Sequence, residues 1–180
     1  MGGDLRDALG RVLGIDPTIT VAGRTDAGVH ARRQVVSFDA PTGSVEPHSL
    51  RRSVNAMLAP HVVIREVAHA AGDFDARFSA KWRRYRYRLL ASEVPDPVLA
   101  ATTWWMPVAL DRHRMADAAH DLVGEHDFTS FCRRPRDRPD ASLVRRVTDA
   151  RWSQELGDDP RVLTFEITAT AFCHQMVRSI

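Results

Sequence analysis

The sequence predicts an α+β protein built around antiparallel sheet, and three observations carry that prediction. Apolar residues recur at helical spacing in separate stretches of both halves. Strand-like runs occur in both halves as well. Long apolar strands alternating with helices, which would mark a parallel βαβ sheet, are few. No short-period repeat runs through the chain.

In chain order, Leu5, Ala8, Leu9, Val12 and Leu13 follow Asp4 at helical spacing, so the chain opens in an amphipathic helix with Asp4 as its expected cap. Gly14 and Pro17 end it. Ile19-Thr20-Val21 and Gln34-Val35-Val36-Ser37-Phe38 read as two strands flanking a glycine-containing loop. A second helix is expected over Pro47 to Leu58, with Leu50, Val54, Met57 and Leu58 on one face and Arg51 and Arg52 on the other. Val62 to Val67 reads as a strand and Asp73 to Ala80 as a linking turn. Trp82 to Leu90 is the next strand. Its period places Trp82, Arg84, Arg86 and Arg88 on one face, and Arg83, Tyr85, Tyr87 and Leu89 on the other.

After a link containing Pro95 and Pro97, a third helix is expected to begin near Asp111, with Met115, Ala118, Ala119 and Leu122 at helical spacing and Gly124 closing it. Pro135 and Pro139 make the arginine-rich stretch Arg133 to Asp140 a loop, with composition compatible with disorder. Ser142 to Trp152 and Val162 to Thr170 read as strands joined by a turn through Gly157, Asp158, Asp159 and Pro160. A helical segment begins before Ile180.

The 180 residues can bury a core as one domain or two small ones. A hydrophobic fraction of 44% and a charged fraction of 27% are ordinary for a soluble globular chain. No apolar run approaches the length of a membrane span, and the opening MGGDLRDALG lacks the organisation of a secretory signal. Cys132 and Cys173 lie far apart, which suggests reduced thiols in a cytoplasmic protein, although the sequence leaves a disulfide open. A net charge of +2 does not by itself imply nucleic-acid binding. Of the 25 basic residues only Lys81 is a lysine, a skew that GC-rich codon usage explains simply. Clustering is more informative. Arg83, Arg84, Arg86 and Arg88 form one basic segment; Arg133, Arg134, Arg136, Arg138, Arg145 and Arg146 form another. A phosphate-tracking surface, a solvated strand face and a loose loop all fit such clusters.

Between the first two strands, Gly23 and Gly28 bracket a tight segment holding Arg24 and Asp26, with His30 two residues beyond it. A carboxylate between an arginine and glycines on a strand-to-strand loop suits a nucleophile or a general base; it also suits a simple turn cap. Histidines 30, 126 and 174 with the two cysteines show no C-x-x-C or H-x-x-x-H spacing, so no metal site is expected.

The run Gly23-Arg24-Thr25-Asp26-Ala27-Gly28-Val29-His30-Ala31 resembles the signature of the TruA-type tRNA pseudouridine synthases. The segment ARFSAKWRRYRY resembles that family's second motif, Gly124 to Phe131 its G-x-x-D-F-S-S-F, and Phe172-Cys173-His174-Gln175-Met176-Val177-Arg178 its third motif. The matches keep the family's order and cover nearly the whole chain.

The resemblance implies that Asp26 is catalytic and that Tyr85 packs against the target base. It also implies that Arg178 pairs with Asp26, and that Arg24 contacts the RNA backbone or fills the space the base vacates. His30, Arg83, Arg84, Arg133 and Arg134 are further candidate RNA contacts. It implies tRNA as partner, a homodimer, uridine on the 3′ side of the anticodon stem-loop as target, and no cofactor or metal. For the fold it implies two related α/β half-domains, 1–100 carrying the signature and 101–180 incomplete, sharing an antiparallel sheet with a central cleft. The family's upstream strand with its Gly-Trp-Gln element is absent, as is the region beyond the third motif, and Gln175 stands where His is frequent. A chain truncated at both ends is therefore expected. The competing readings are an RNA-binding but inactive fragment of such an enzyme and a non-catalytic α+β domain.

Overall fold

The structure is a computed structural model that describes residues 2–41, 43, 45–154 and 159–180. The chain forms two compact units, Met1–Ala80 and Lys81–Ile180. Four helices and seven strands lie in the described residues, so the α+β expectation holds.

In the first unit, helices α1 (Gly2–Leu13) and α2 (Pro47–Leu58) pack together through Leu5, Ala8 and Leu9 on one side and Leu50 and Val54 on the other. Asp4 is not a cap: the helix starts two residues earlier, at Gly2. Asp4 sits inside the first turn, where a carboxylate still suits the positive end of the helix dipole. Gly14, with φ +68°, ends α1, its N–H donating to the Gly10 carbonyl at 2.8 Å. α2 has the bounds its sequence predicts. Glu46 accepts from the Ser49 N–H at 2.9 Å, Pro47 starts the helix, and the extended backbone of Ala59 before Pro60 stops it.

Strands β1 (Thr20–Val21) and β2 (Val36–Ser37) pair antiparallel. The strand expected over Val62 to Val67 is absent. Ile64 and Val67 do face the α1–α2 core, as the apolar pattern requires. The backbone there is held by side chains of α2 instead of a neighbouring strand. Asn55 donates to the Ile64 carbonyl at 2.9 Å and accepts from its N–H at 2.6 Å, and Arg51 donates to the Arg65 carbonyl at 3.1 Å.

The second unit is a five-stranded sheet in the order β4-β3-β7-β6-β5: β3 (Arg83–Ala91), β4 (Trp104–Met106), β5 (Gly124–Asp127), β6 (Val144–Ser153) and β7 (Val162–Ala169). All pairings are antiparallel except the β3–β4 edge, which runs parallel after a crossover through residues 92–103. Arg161 closes the end of β7, bonding Asp159 and reaching Asp96 in that crossover at 2.8 Å. Of the expected β6–β7 turn, Gly157 and Asp158 lie outside the described residues.

β7 is buried along its whole length. Its Phe165, Ile167 and Ala169 join Ala119 of helix α3 (Arg112–His120), Phe128 and Met176 in one core. Asp111 caps α3, accepting from the N–H groups of His113 and Arg114 at 3.1 Å each. The opposite face of β7 carries Thr164, Glu166 and Thr168, and the register sets Arg84 beside Thr168 and Arg86 and Arg151 beside Glu166. Arg86 donates twice to Glu166 Oε1, at 2.8 and 3.1 Å, and Arg151 donates to Oε2 at 2.8 Å while also pairing with Asp149. The strand alternation thus predicts the face of these arginines, and the structure spends Arg86 and Arg151 on a buried carboxylate.

Burial of Glu166 pushes its carboxyl up. Hydrogen bonds from Arg86 and the charges of Arg86, Arg151 and Arg84 outweigh that and hold it below its ordinary value of 4.5. A depressed carboxyl stabilises the fold above its unfolded pKa, and that contribution disappears as pH falls through the lower folded value. Glu166→Gln is therefore expected to unfold more readily than the parent at neutral pH and to show a shallower stability loss between about pH 5 and 3. Denaturant midpoints measured across that range check this; parallel curves for the two proteins would contradict it.

Cys132 and Cys173, expected as separate reduced thiols, are instead joined as a disulfide, with Cα atoms 5.8 Å apart. The sequence separation of 41 hid the proximity. It arises because Cys132 follows the 3-10 turn Thr129–Phe131 and Cys173 precedes helix α4 (Met176–Ser179), two elements that pack on the same core. The loop from Arg133 to Asp140 is structured: Arg134 Nη1 donates to the carbonyls of Pro139 and Ala141, at 2.8 and 3.1 Å.

Candidate active site

The signature loop belongs to the first unit and is clamped at its neck. The short β1–β2 ladder is extended by the Ala22 N–H donating to the Val35 carbonyl at 2.9 Å. Beyond that, the Gln34 side-chain amide grips Gly23 on both polar atoms: Nε2 donates to the Gly23 carbonyl at 2.6 Å, and Oε1 accepts from its N–H at 3.3 Å. Gln34 holds the neck of the loop, a contact the sequence did not mark beyond placing this residue in a strand. At the tip, the Val29 N–H donates to the Asp26 carbonyl at 3.1 Å, closing a four-residue turn. Its third residue is Gly28 at φ +82°, the conformation for which glycine is suited. Arg24, Asp26 and His30 are all exposed on this loop. Asp26 thus sits at the surface on a loop whose neck is pinned.

The other candidates lie in the second unit. Tyr85, on β3 opposite Ile167, points to the core face and is half-buried. Its ring meets Phe172 edge-on at 4.9 Å. Phe172 and Cys173 pack on the same core as Met176, which is fully buried and roots α4. Arg178 follows two residues later on that helix. The structure therefore brings the second and third motifs together through Tyr85, Phe172 and the base of α4. The helix entry is strained: Gln175 sits at φ 70°, a left-handed conformation that a non-glycine residue adopts at a cost. It is stabilised by the hydrogen bonds that follow, with the N–H groups of Arg178 and Ser179 both donating to its carbonyl at 3.0 Å. The Arg133 N–H donates to the His174 carbonyl at 2.9 Å, adding a second tie beside the Cys132–Cys173 link.

Among the weaker candidates, Arg84 Nε donates to Thr168 Oγ1 at 3.1 Å and Arg83 Nη1 to the Thr170 carbonyl at 3.4 Å. The Arg133 side chain is exposed, and the Arg134 guanidinium is engaged in closing its own loop. Among the described residues no group of three or more His, Cys, Asp or Glu side chains could hold a metal ion, and no helix is long and apolar enough to cross a membrane.

Comparison with known proteins gives these motifs their context. Residues 118–180 match the family model described as tRNA pseudouridine synthase. Over 198 aligned residues the chain is 39% identical to a tRNA pseudouridine synthase A of Leifsonia xyli subsp. xyli, an alignment covering 99% of this chain and 67% of that one. It is 42% identical over 181 residues to the protein of that name from Cutibacterium acnes, and 43% over 180 residues to that from Frankia casuarinae. Both alignments cover 99% of this chain and 63% of the relative. The chain spans about two thirds of the length of these curated relatives. Similarity at this level across nearly every residue, with the signature loop, the paired second and third motifs and the α+β fold all in place, shows that the chain belongs to the tRNA pseudouridine synthase family.

Proposed function

We propose that this protein isomerises uridine to pseudouridine in tRNA, on the 3′ side of the anticodon stem-loop, as a cytoplasmic homodimer with no metal or organic cofactor. The observation that carries the reading is the exposed Asp26 on a loop clamped by Gln34, in a chain about 40% identical to proteins named for that activity. The reaction breaks the bond from N1 of uracil to the sugar, turns the base, and joins C5 to the same sugar carbon. C5 gives up its proton and N1 regains one, so nothing is oxidised and no group carrier is consumed. A carboxylate suffices, as nucleophile on sugar or base or as the base removing a sugar proton.

In this reading Arg178 supplies a positive charge for substrate binding, and Tyr85 packs against the extruded uracil. Arg24 contacts the RNA backbone or occupies the space left by the base. His30, Arg83, Arg84 and Arg133 add weaker contacts to the phosphates, and Arg134 contributes what its loop leaves free. Because Tyr85 already touches Phe172, its ring supports the core as well as the substrate. Tyr85→Phe is expected to keep tRNA affinity and most turnover, whereas Tyr85→Leu should retain binding within a few-fold and lose turnover by about tenfold or more. Equal turnover by the two variants would remove the stacking role.

Position is tested by mapping pseudouridine chemically in a tRNA transcript after incubation with the full-length protein. New pseudouridine confined to the 3′ side of the anticodon stem-loop is expected. Modification only elsewhere would keep the chemistry and overturn the assigned target.

A further inference from the structure

We propose that Phe78 overlaid by Arg77, and Trp82 overlaid by Arg84, each present a stacking surface for an unpaired nucleobase of the RNA. The proposal rests on the reading of this protein as one that acts on tRNA. Phe78 is 80% exposed and Trp82 59%, large exposures for rings of this size. Phe78 is presented by a turn whose backbone bonds are satisfied. Asp75 Oδ1 accepts from the N–H groups of Arg77 and Phe78, both at 2.8 Å, and the Asp75 carbonyl accepts from Ser79 at 2.8 Å. Ala76 beside it is buried and donates its N–H to Ser37 Oγ at 3.0 Å. The ring therefore stands on a fixed mount.

The Arg77 guanidinium lies 5.4 Å from the centre of the Phe78 ring, and the Arg84 guanidinium 5.6 Å from that of Trp82. Each pair joins a flat apolar surface to a cation, the combination that receives a base face and its phosphate together. Across Arg77 to Arg84 the chain carries Arg77, Lys81, Arg83 and Arg84 and no acidic residue. An apolar protein partner gains little from that charge, whereas a polyanion with exposed bases uses both features. Every base has a π-face, so such a site would hold loop nucleotides without reading their identity.

The test uses full-length protein and a tRNA transcript with 2-aminopurine in the anticodon loop, and reads binding and fluorescence without turnover. Phe78→Leu and Trp82→Leu keep apolar bulk at exposed positions and leave the charge unchanged. Each is expected to weaken tRNA binding by roughly fivefold or more, with an unchanged salt slope, and to relieve the fluorescence quenching seen with the parent. Phe78→Trp should keep both. Affinity within twofold of the parent and unchanged fluorescence in both leucine variants would overturn the proposal. So would a loss of self-association in those variants with tRNA affinity intact, which would make the rings a protein contact. Normal binding and quenching by a parent protein that makes no pseudouridine would instead count against the enzymatic reading and leave this site standing.

Discussion

Asp26→Asn is expected to reduce pseudouridine formation by at least about 10²–10⁴-fold while changing tRNA affinity by less than about threefold. The substitution keeps size and polarity and removes only the charge and the basic lone pairs. The Gln34 clamp on Gly23, the Ala22–Val35 bond and the turn bond to the Asp26 backbone carbonyl do not use the Asp26 carboxylate and stay in place in the variant. Loss of turnover with intact binding therefore reports on chemistry and not on folding. A variant within tenfold of the parent rate would show that Asp26 does not carry the reaction. Gln34→Leu provides the companion measurement. It leaves every candidate catalytic group in place and releases the neck, so a smaller fall in turnover, about tenfold, is expected from misplacement alone.

Met176→Ala is the substitution with the largest expected effect in the second unit. Met176 is fully buried in the core with Phe128, Phe165 and Ile167, and it is the first residue of the short helix that carries Arg178. Truncating a buried methionine costs about 2–5 kcal/mol, a large part of the ~5–15 kcal/mol by which a domain is stable. That corresponds to a melting temperature lower by about 5–20 °C. The helix is one turn long and starts from the strained Gln175, so the Met176 anchor is what offsets its entry cost. Below the melt, turnover should still fall tenfold or more through displacement of Arg178, whereas Met176→Leu should cost less than about 1.5 kcal/mol and retain activity. A Met176→Ala protein melting within about 2 °C of the parent would mean that α4 is held by something else.

Local chemistry was the part of the structure most legible in the sequence. α2 is visible because Leu50, Val54, Met57 and Leu58 recur on one helical face after Pro47, a signal confined to a few residues. β3 is visible because its alternation matches the period of a strand, which also assigns Tyr85 to the face opposite Arg84, Arg86 and Arg88. The misreadings share one cause, namely partners distant in sequence. Val62 to Val67 has an alternating apolar pattern, but Asn55 and Arg51 supply the hydrogen bonds that another strand would have supplied. Arg86 reads only as one member of a basic cluster until Glu166, 80 residues later, is placed beside it by the register. Cys132 and Cys173 read as isolated thiols for the same reason. The candidate site divides in the same way. Asp26, Tyr85 and Arg178 stand in motifs that can be read directly, whereas Gln34 and Met176 act through contacts that only the fold reveals.

The most direct measurement of the central claim is tritium release from tRNA containing uridine labelled at C5, catalysed by the full-length parent protein after removal of tightly bound zinc and nickel. Forming the C5 bond to the sugar displaces the C5 hydrogen, so each isomerisation frees one label to solvent. Multiple-turnover release that persists after chelation, accompanied by an equivalent amount of pseudouridine in the tRNA, is the predicted result. Tight tRNA binding with no release above the protein-free control would contradict the account and leave an RNA-binding module in its place.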